Sequence, residues 1–173
     1  MKSKIIWLTG LSGSGKTTLS NYLAKKLSKK KYKVKRIDGD VFRKKNKENS
    51  FTKKNIIKNN LAVINFIKII WKKYDFIIVS VISPLKKTRF KAFKQFGTNY
   101  IEVYTKCNIK ELIRRDTKNL YKKAKKNLIK NLIGYNSSIK YENSSHKKLI
   151  VYTAKETIKT SANKIIKKLN LGQ

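Results

Sequence analysis

Apolar positions along the chain fall into two rhythms. Lys4 to Thr9 (KIIWLT) is a short continuous apolar run that reads as a buried strand. Leu19, Leu23 and Leu27, with Tyr22 and Ala24, recur at helical spacing to about Ser28. Lys33 to Asp38 alternates around Val34 and Ile37, as a second strand does. Ile56, Ile57, Leu61, Ile64, Ile67 and Trp71 mark a long helix over 53–73. Asp75 to Ile82 (DFIIVSVI) is the most hydrophobic stretch and predicts a central parallel strand. Ser83-Pro84 stops it. A helix over 86–96, a strand over 100–105 and a helix over 109–118 follow. Residues 119–147 are polar, Lys-rich and weakly periodic, the profile of a mobile functional lid. A strand over 148–152 and a helix over 157–169 close the pattern. Strands alternating with helices predict an α/β domain with a mostly parallel sheet. The length suits a single domain over 1–173, with the lid at roughly 116–147.

The first strand runs into WLTGLSGSGKTT, where Gly10, Gly15, Lys16 and Thr17 fit G-x-x-x-x-G-K-[ST]. A strand, a glycine loop and a helix are the context this phosphate-binding motif requires. The glycines let backbone N–H groups turn toward phosphate oxygens, and the helix adds its positive end. Gly10, Ser12, Gly13, Ser14, Gly15, Lys16, Thr17 and Thr18 are therefore the candidate ATP-binding residues. Lys16 is expected to reach the β- and γ-phosphates, and Thr17 to ligate Mg²⁺. The fold expected is the three-layer P-loop NTPase type, a five-stranded sheet with helices on both faces and a mobile lid. The motif leaves the phosphate acceptor open. A GTPase's N-K-x-D element is missing, since Asn46-Lys47-Glu48-Asn49 lacks the Asp. Asp75 begins its strand rather than ending it, unlike the acidic strand end of a motor ATPase. Size and lid favour a nucleotide or metabolite kinase.

Charge changes this picture little. The net charge is +35, from 44 basic and 9 acidic residues. Such a balance suggests nucleic acid or an anionic membrane. The basic residues are nearly all Lys, and only Arg36, Arg43, Arg89, Arg114 and Arg115 are Arg. They are spread over the whole chain beside abundant Asn and Ile, which reads as a coding bias on solvated faces. The surface still draws in anions and makes their binding salt-sensitive. No stretch approaches the roughly 20 apolar residues of a membrane helix. A lone Cys107 excludes an internal disulfide. These features predict a cytoplasmic protein without a signal peptide, acting on a small molecule rather than on nucleic acid or membrane.

Acidic residues are few, so their positions carry information. Asp38-Gly39-Asp40 follows the second strand, at the sheet edge where parallel folds bind ligands, with Arg43 three residues on. Gly39 is expected to let the chain turn. One carboxylate would sit near Mg²⁺ and another would take a hydrogen bond from an acceptor hydroxyl. Arg43 would hold a substrate phosphate. Ser83 would contact substrate or metal, or simply end the strand. Asp116 is expected to pair with a neighbouring cation, or to serve a purely structural purpose. The single His146 reads as a solvated loop residue. Phe51 is either core or a platform for a base.

Together these motifs resemble adenylylsulfate (APS) kinase, a family that phosphorylates the ribose 3′-hydroxyl of adenosine 5′-phosphosulfate with ATP. WLTGLSGSGKTTL at 7–19 is similar to its phosphate loop, IDGDVFR at 37–43 to its Asp-Gly-Asp-x-x-Arg element, and VISP at 81–84 to its Ile-Ser-Pro turn. IEVY at 101–104 resembles the strand that follows. RDTKNLYKKA at 115–124 resembles its lid motif, with Asn119 in place of Gly, and Tyr141-Glu142 resembles a pair beyond the lid. The resemblance implies ATP and Mg²⁺ as cofactors, and it allows a homodimer. It implies that Asp38, Asp40 and Arg43 meet the acceptor nucleotide, with Asp40 orienting or deprotonating the 3′-hydroxyl. It makes Lys16, Asp40 and Ser83 the catalytic set. Phe51 would stack on the acceptor base and Asn59 would bind substrate. Ile82 and Ser83 would line the acceptor site, and Lys118, Leu120 and Tyr121 would close over it.

Departures from the family fall on the acceptor side. Where the family has Phe-Ser-x-x-Asp-Arg-x-x-Asn-Ile-Arg-Arg, residues 51–62 read FTKKNIIKNNLA. Asn55-Ile56 replaces Asp-Arg, and Leu61-Ala62 replaces Arg-Arg. Leu132-Ile133-Gly134 stands for Phe-Thr-Gly, so one aromatic face is missing. Lost Arg side chains are lost fork-shaped anion donors. This asymmetry favours a related capsule-decoration branch of the family, which phosphorylates the 3′-hydroxyl of cytidine 5′-diphosphoramidate, over adenosine 5′-phosphosulfate itself. Two other readings compete. A basic nucleic-acid-binding module on a P-loop fold leaves the lid and Asp-Gly-Asp motifs unused. A sugar- or shikimate-type kinase leaves Phe51 and the lid unexplained.

Overall fold

Continuous apolar runs become the central strands of a sheet covered on both faces. In the computed structural model, which describes residues 3–45, 52–144, 146 and 149–169, five strands lie in the order β2-β3-β1-β4-β5. They are β1 (Lys4–Thr9), β2 (Val34–Asp38), β3 (Phe76–Ser80), β4 (Tyr100–Lys106) and β5 (Leu149–Tyr152). Every pairing is parallel, so the sheet is wholly rather than mostly parallel. The middle strand is β1. The more hydrophobic β3 lies beside it, in register from Lys4↔Phe76 to Leu8↔Ser80.

Odd and even residues of the strands feed two separate cores. Ile5, Trp7, Ile77 and Val79 pack with Val63, Ile64 and Ile67 of α3 (Lys53–Ile70) and with Ala92 and Phe96 of α4 (Lys86–Phe96). Ile6, Leu8, Phe76 and Ile78 pack on the other face with Leu19, Leu23 and Leu27 of α1 (Lys16–Lys29) and Ala162 and Ile165 of α7 (Ile158–Lys168). Burial of these side chains, at about 1.5–3 kcal/mol each, drives the layering. Thr52 and Thr157 cap α3 and α7 through their hydroxyls.

Three short helices complete the set: α2 (Gly39–Lys45), α5 (Ile109–Arg115) and α6 (Leu120–Lys125). The long helix read over 53–73 ends at Ile70 and tightens into a 3₁₀ turn at Trp71–Lys73. The helix read over 109–118 stops at Arg115, and the Asp116 carboxylate then accepts the backbone N–H groups of Tyr121 and Lys122 at the start of α6. Among the described residues, Asp116 pairs with no cation and acts as a helix cap instead. Among the described residues, no helix is long and apolar enough to cross a membrane.

His146 departs from its sequence reading. It stacks on Phe93 with ring centroids 5.0 Å apart and planes at 10°. Its Nε2 lies 2.8 Å from the fully buried Glu102 carboxylate. Among the described residues, neither ring nitrogen forms a hydrogen bond. Polar neighbours in sequence concealed an aromatic partner supplied by α4.

Candidate active site

The sheet order reverses at β1, which has β3 on one side and β4 on the other, and ligands of such sheets bind at that point. The loop after β1 lies there. Gly13 and Gly15 take left-handed conformations, φ 75° and 83°, and α1 begins at Lys16 directly after Gly15. Ser12, Gly13, Gly15, Lys16, Thr17 and Thr18 line a cavity of about 200 Å³. Gly10 and Ser14 sit behind it against Thr105, and Ser14 Oγ lies 2.7 Å from Thr105 Oγ1. The Lys16 ammonium is folded onto its own loop, donating to the Gly10 and Leu11 carbonyls at 2.9 and 2.7 Å. Burial brings its pKa down to about 8, against the opposing pull of Asp40.

The opposite wall comes from the end of β2. Asp38 Oδ2 accepts from Thr17 Oγ1 at 2.9 Å, and Asp38 Oδ1 accepts the Asp40 N–H at 3.0 Å as α2 starts. Gly39 is the first residue of α2 and makes no left-handed turn. Its requirement is proximity instead, since a Cβ there would lie 2.7 Å from Val81 Cγ1 and 3.1 Å from the Ser80 carbonyl. Asp40 takes Arg43 Nη2 at 2.8 Å on one oxygen and the Lys118 ammonium on the other. Burial pushes its pKa up, but Lys118, then Arg43 and Lys16, hold it below the usual carboxylate value.

Thr17 hydroxyl and Asp38 carboxylate oxygens are hard donors, which suit Mg²⁺. Among the described residues there is no cluster of three His, Cys, Asp or Glu side chains. A magnesium ion here would complete its coordination with phosphate oxygens and water.

Asn59 and Ile82 border the same cavity. A narrower pocket continues from it, lined by Arg43, Asn55, Ile56, Asn59, Asn60, Ile82 and Ile133. Among the described residues, the buried Asn59 Oδ1 has no hydrogen-bond partner. Leu132 turns the other way, into a cluster with Leu112 and Tyr121, so Ile133 forms this wall. Phe51 lies outside the described residues.

Three expected site residues point elsewhere. Ser83 is fully buried, and its hydroxyl accepts from Trp7 Nε1 at 3.2 Å and donates to Asn60 Oδ1. That geometry fixes the turn rather than presenting a catalytic hydroxyl to the cavity. Tyr121 is buried beneath the phosphate loop, donating to the Ser12 carbonyl at 2.9 Å, and does not lie over the acceptor side. Leu120 packs partly buried in the same apolar cluster. Lys118 alone of the three reaches the cavity.

Across the loop lies a second cavity, unanticipated from sequence, lined by Gly15, Thr18, Arg115, Thr153, Glu156 and Ile158 among others. Glu111 holds Arg115 Nε at 2.7 Å, and Arg115 Nη2 donates to the Thr153 carbonyl at 2.6 Å. Among the described residues, the buried Thr153 hydroxyl has no hydrogen-bond partner.

A lysine-tipped glycine loop, a magnesium-suited oxygen pair and flanking cavities define a P-loop kinase. Residues 2–152 match the adenylylsulphate kinase family. The chain is 39% identical over 169 residues to a Pyrococcus abyssi protein named as a probable adenylyl-sulfate kinase, covering 97% of this chain and 95% of that one. It is 36% identical over 170 residues to the adenylyl-sulfate kinase of Halothermothrix orenii, covering 97% and 90%. The Mycobacterium tuberculosis APS kinase, solved in complex with AMPPNP and APS, superposes with a TM-score of 0.89 at 28% identity, covering 97% of this chain and 98% of that one. The chain belongs to the adenylylsulphate kinase family and is an ATP-dependent nucleotide kinase that uses ATP with Mg²⁺.

Proposed function

We propose that the protein transfers the γ-phosphoryl group of ATP to the ribose 3′-hydroxyl of adenosine 5′-phosphosulfate. The carrying observation is the placement of Asp40 between Lys16, which belongs to the phosphate loop, and Arg43 with Lys118, which border the acceptor side. Bound ATP and Mg²⁺ supply the phosphoryl group and neutralise its charge. Lys16 leaves the loop carbonyls for phosphate oxygens. Asp40 accepts a hydrogen bond from the acceptor hydroxyl and orients it, and Arg43 and Lys118 hold the acceptor's anionic groups. The unpartnered Thr153 hydroxyl and the Arg115 side chain offer the purine of ATP a site, while Asn59 Oδ1 offers one to the acceptor. Residues 116–147 act as a lid, with Lys118 its contact to Asp40.

Names of the relatives support the adenosine compound, and none supports the preference for cytidine 5′-diphosphoramidate drawn from Asn55-Ile56 and Leu132. One observation keeps that compound as a second reading. Apart from Arg43, uncharged side chains line the narrow acceptor pocket, and Ile56 and Ile133 give it two aliphatic walls. ADP release is to be measured with both compounds and with plain adenosine and cytidine nucleotides, followed by location of the new phosphate. A higher kcat/KM for adenosine 5′-phosphosulfate with a 3′-phosphate product supports the first reading. Preference for the cytidine compound replaces it with the second.

A further inference from the structure

The chain leaving the 116–140 segment is clamped beside the phosphate loop by one buried side chain. Arg89, on α4, is fully buried. Its Nε donates to Glu102 Oε1 at 3.2 Å and to Ser144 Oγ at 3.1 Å, while Nη1 and Nη2 donate to the Ser83 and Glu142 carbonyls. The guanidinium also lies 4.9 Å from the Tyr141 ring centroid. That ring stacks on Tyr104, with centroids 4.7 Å apart and planes at 11°. Tyr141 therefore has a fixed ring and one polar atom, Oη, which lies 3.0 Å from Thr9 Oγ1. The Thr9 hydroxyl donates its only proton to the Ser83 carbonyl, so Tyr141 is the donor to Thr9. Burial raises the phenol above its ordinary pKa, against the pull of Arg89, and preserves that donor.

Thr9 is the last residue of β1, immediately before Gly10. Its carbonyl accepts from Thr105 Oγ1 at 3.0 Å. With that proton committed, Ser14 must donate across the 2.7 Å to Thr105, and Lys16 Nζ reaches Ser14 Oγ at 3.4 Å. A chain of donors thus runs from the loop lysine to Thr9, where the Tyr141 contact meets it. We propose that Tyr141, clamped by Arg89, is a positioning residue for phosphoryl transfer, fixing Thr9 and with it the entry to the phosphate loop. This rests on the kinase chemistry of the loop and is independent of which nucleotide accepts the phosphate. Small displacements of a reacting group are expensive in rate, about 100-fold for 1 Å.

The test is a double-mutant cycle between Tyr141→Phe and Thr9→Val, reading kcat, both KM values and Tm, with ADP release under saturating acceptor. Phenylalanine keeps the stack and loses only Oη. Each single change is expected to lower kcat roughly 5- to 30-fold, and the double change no further than the worse single. Ile165→Val in α7, remote from the loop, is expected to lower Tm without moving kcat. Wild-type kcat for Tyr141→Phe, or a double loss equal to the product of the two singles, overturns the proposal. Should Thr9→Val not fold, Thr9→Ser and Thr9→Ala replace it. Serine recovering activity over alanine supports the role, and equal losses overturn it.

Discussion

The Lys118 ammonium rests on the Asp40 carboxylate across 78 residues of sequence, joining the start of the segment after α5 to the end of β2. This contact is the first of the influences that bring the half-buried carboxylate below its usual pKa. Asp40→Asn is expected to lower kcat by about 10²-fold or more while leaving the KM for ATP near wild type. Weakened ATP binding with little change in kcat would place Asp40 with the metal instead. Lys118→Ala removes the largest of the influences that lower the Asp40 pKa. The acid limb of kcat/KM for the acceptor is therefore expected to move to higher pH, and an unmoved limb refutes the pairing.

Lys16 carries a pH signature of its own. Its pKa in the folded protein is about 8, below the ordinary value of 10.5, and burial is the cause. Between those values the unfolded chain binds the extra proton, so stability of the ATP-free protein should rise with pH from about 8 to 10.5. Thermal melts across that window should show the rise, and Lys16→Met should flatten it. Loss of the charge above pH 8 should also lower kcat/KM for ATP. A flat pH response in the wild type would contradict the buried position of this amine.

Gly39→Ala tests a close approach rather than a turn. The new methyl would meet Val81 Cγ1 and the Ser80 carbonyl, pushing α2 and Asp40 from the β3 end. Overpacking of this kind costs about 1–3 kcal/mol. Chemical denaturation should show that loss together with a reduced kcat. Adding Val81→Ala should restore part of both, and no restoration would place the strain elsewhere.

The cavity walled by Arg115 and Thr153 should bind ATP. Arg115→Ala is expected to raise the KM for ATP about 10-fold, with the acceptor KM unchanged. An increase confined to the acceptor KM would reverse the assignment of the two cavities.

Strands, long helices and the phosphate loop were legible because their signals are local: alternation, helical spacing and a motif. α2 was missed because seven residues beginning with Gly39 hold no apolar period, although Asp38 already offered a capping carboxylate. α6 was hidden by lysines and is nucleated by Asp116, whose capping role is invisible without the turn at Asn119. Arg115 and Thr153 lie 38 residues apart, and only the fold joins them into one wall. Ser83 misled for the opposite reason. A motif position suggested chemistry, whereas Trp7 and Asn60 enclose its hydroxyl.

The position of β1 in the sheet has an evolutionary consequence. On the proposed reading, acceptor-facing residues come from β2, β3 and α3 and, as Lys118 and Ile133, from the segment between α5 and β5, while Thr153 and Glu156 after β5 wall the ATP side, and the phosphate loop and Arg115 border both cavities. Divergence can therefore proceed on one flank while the other stays under unchanged selection. A library restricted to Asn55, Ile56, Asn59 and Ile133 would explore new acceptors against a constant background of ATP use. On that reading, substrate range would be a heritable trait of the few side chains around one pocket.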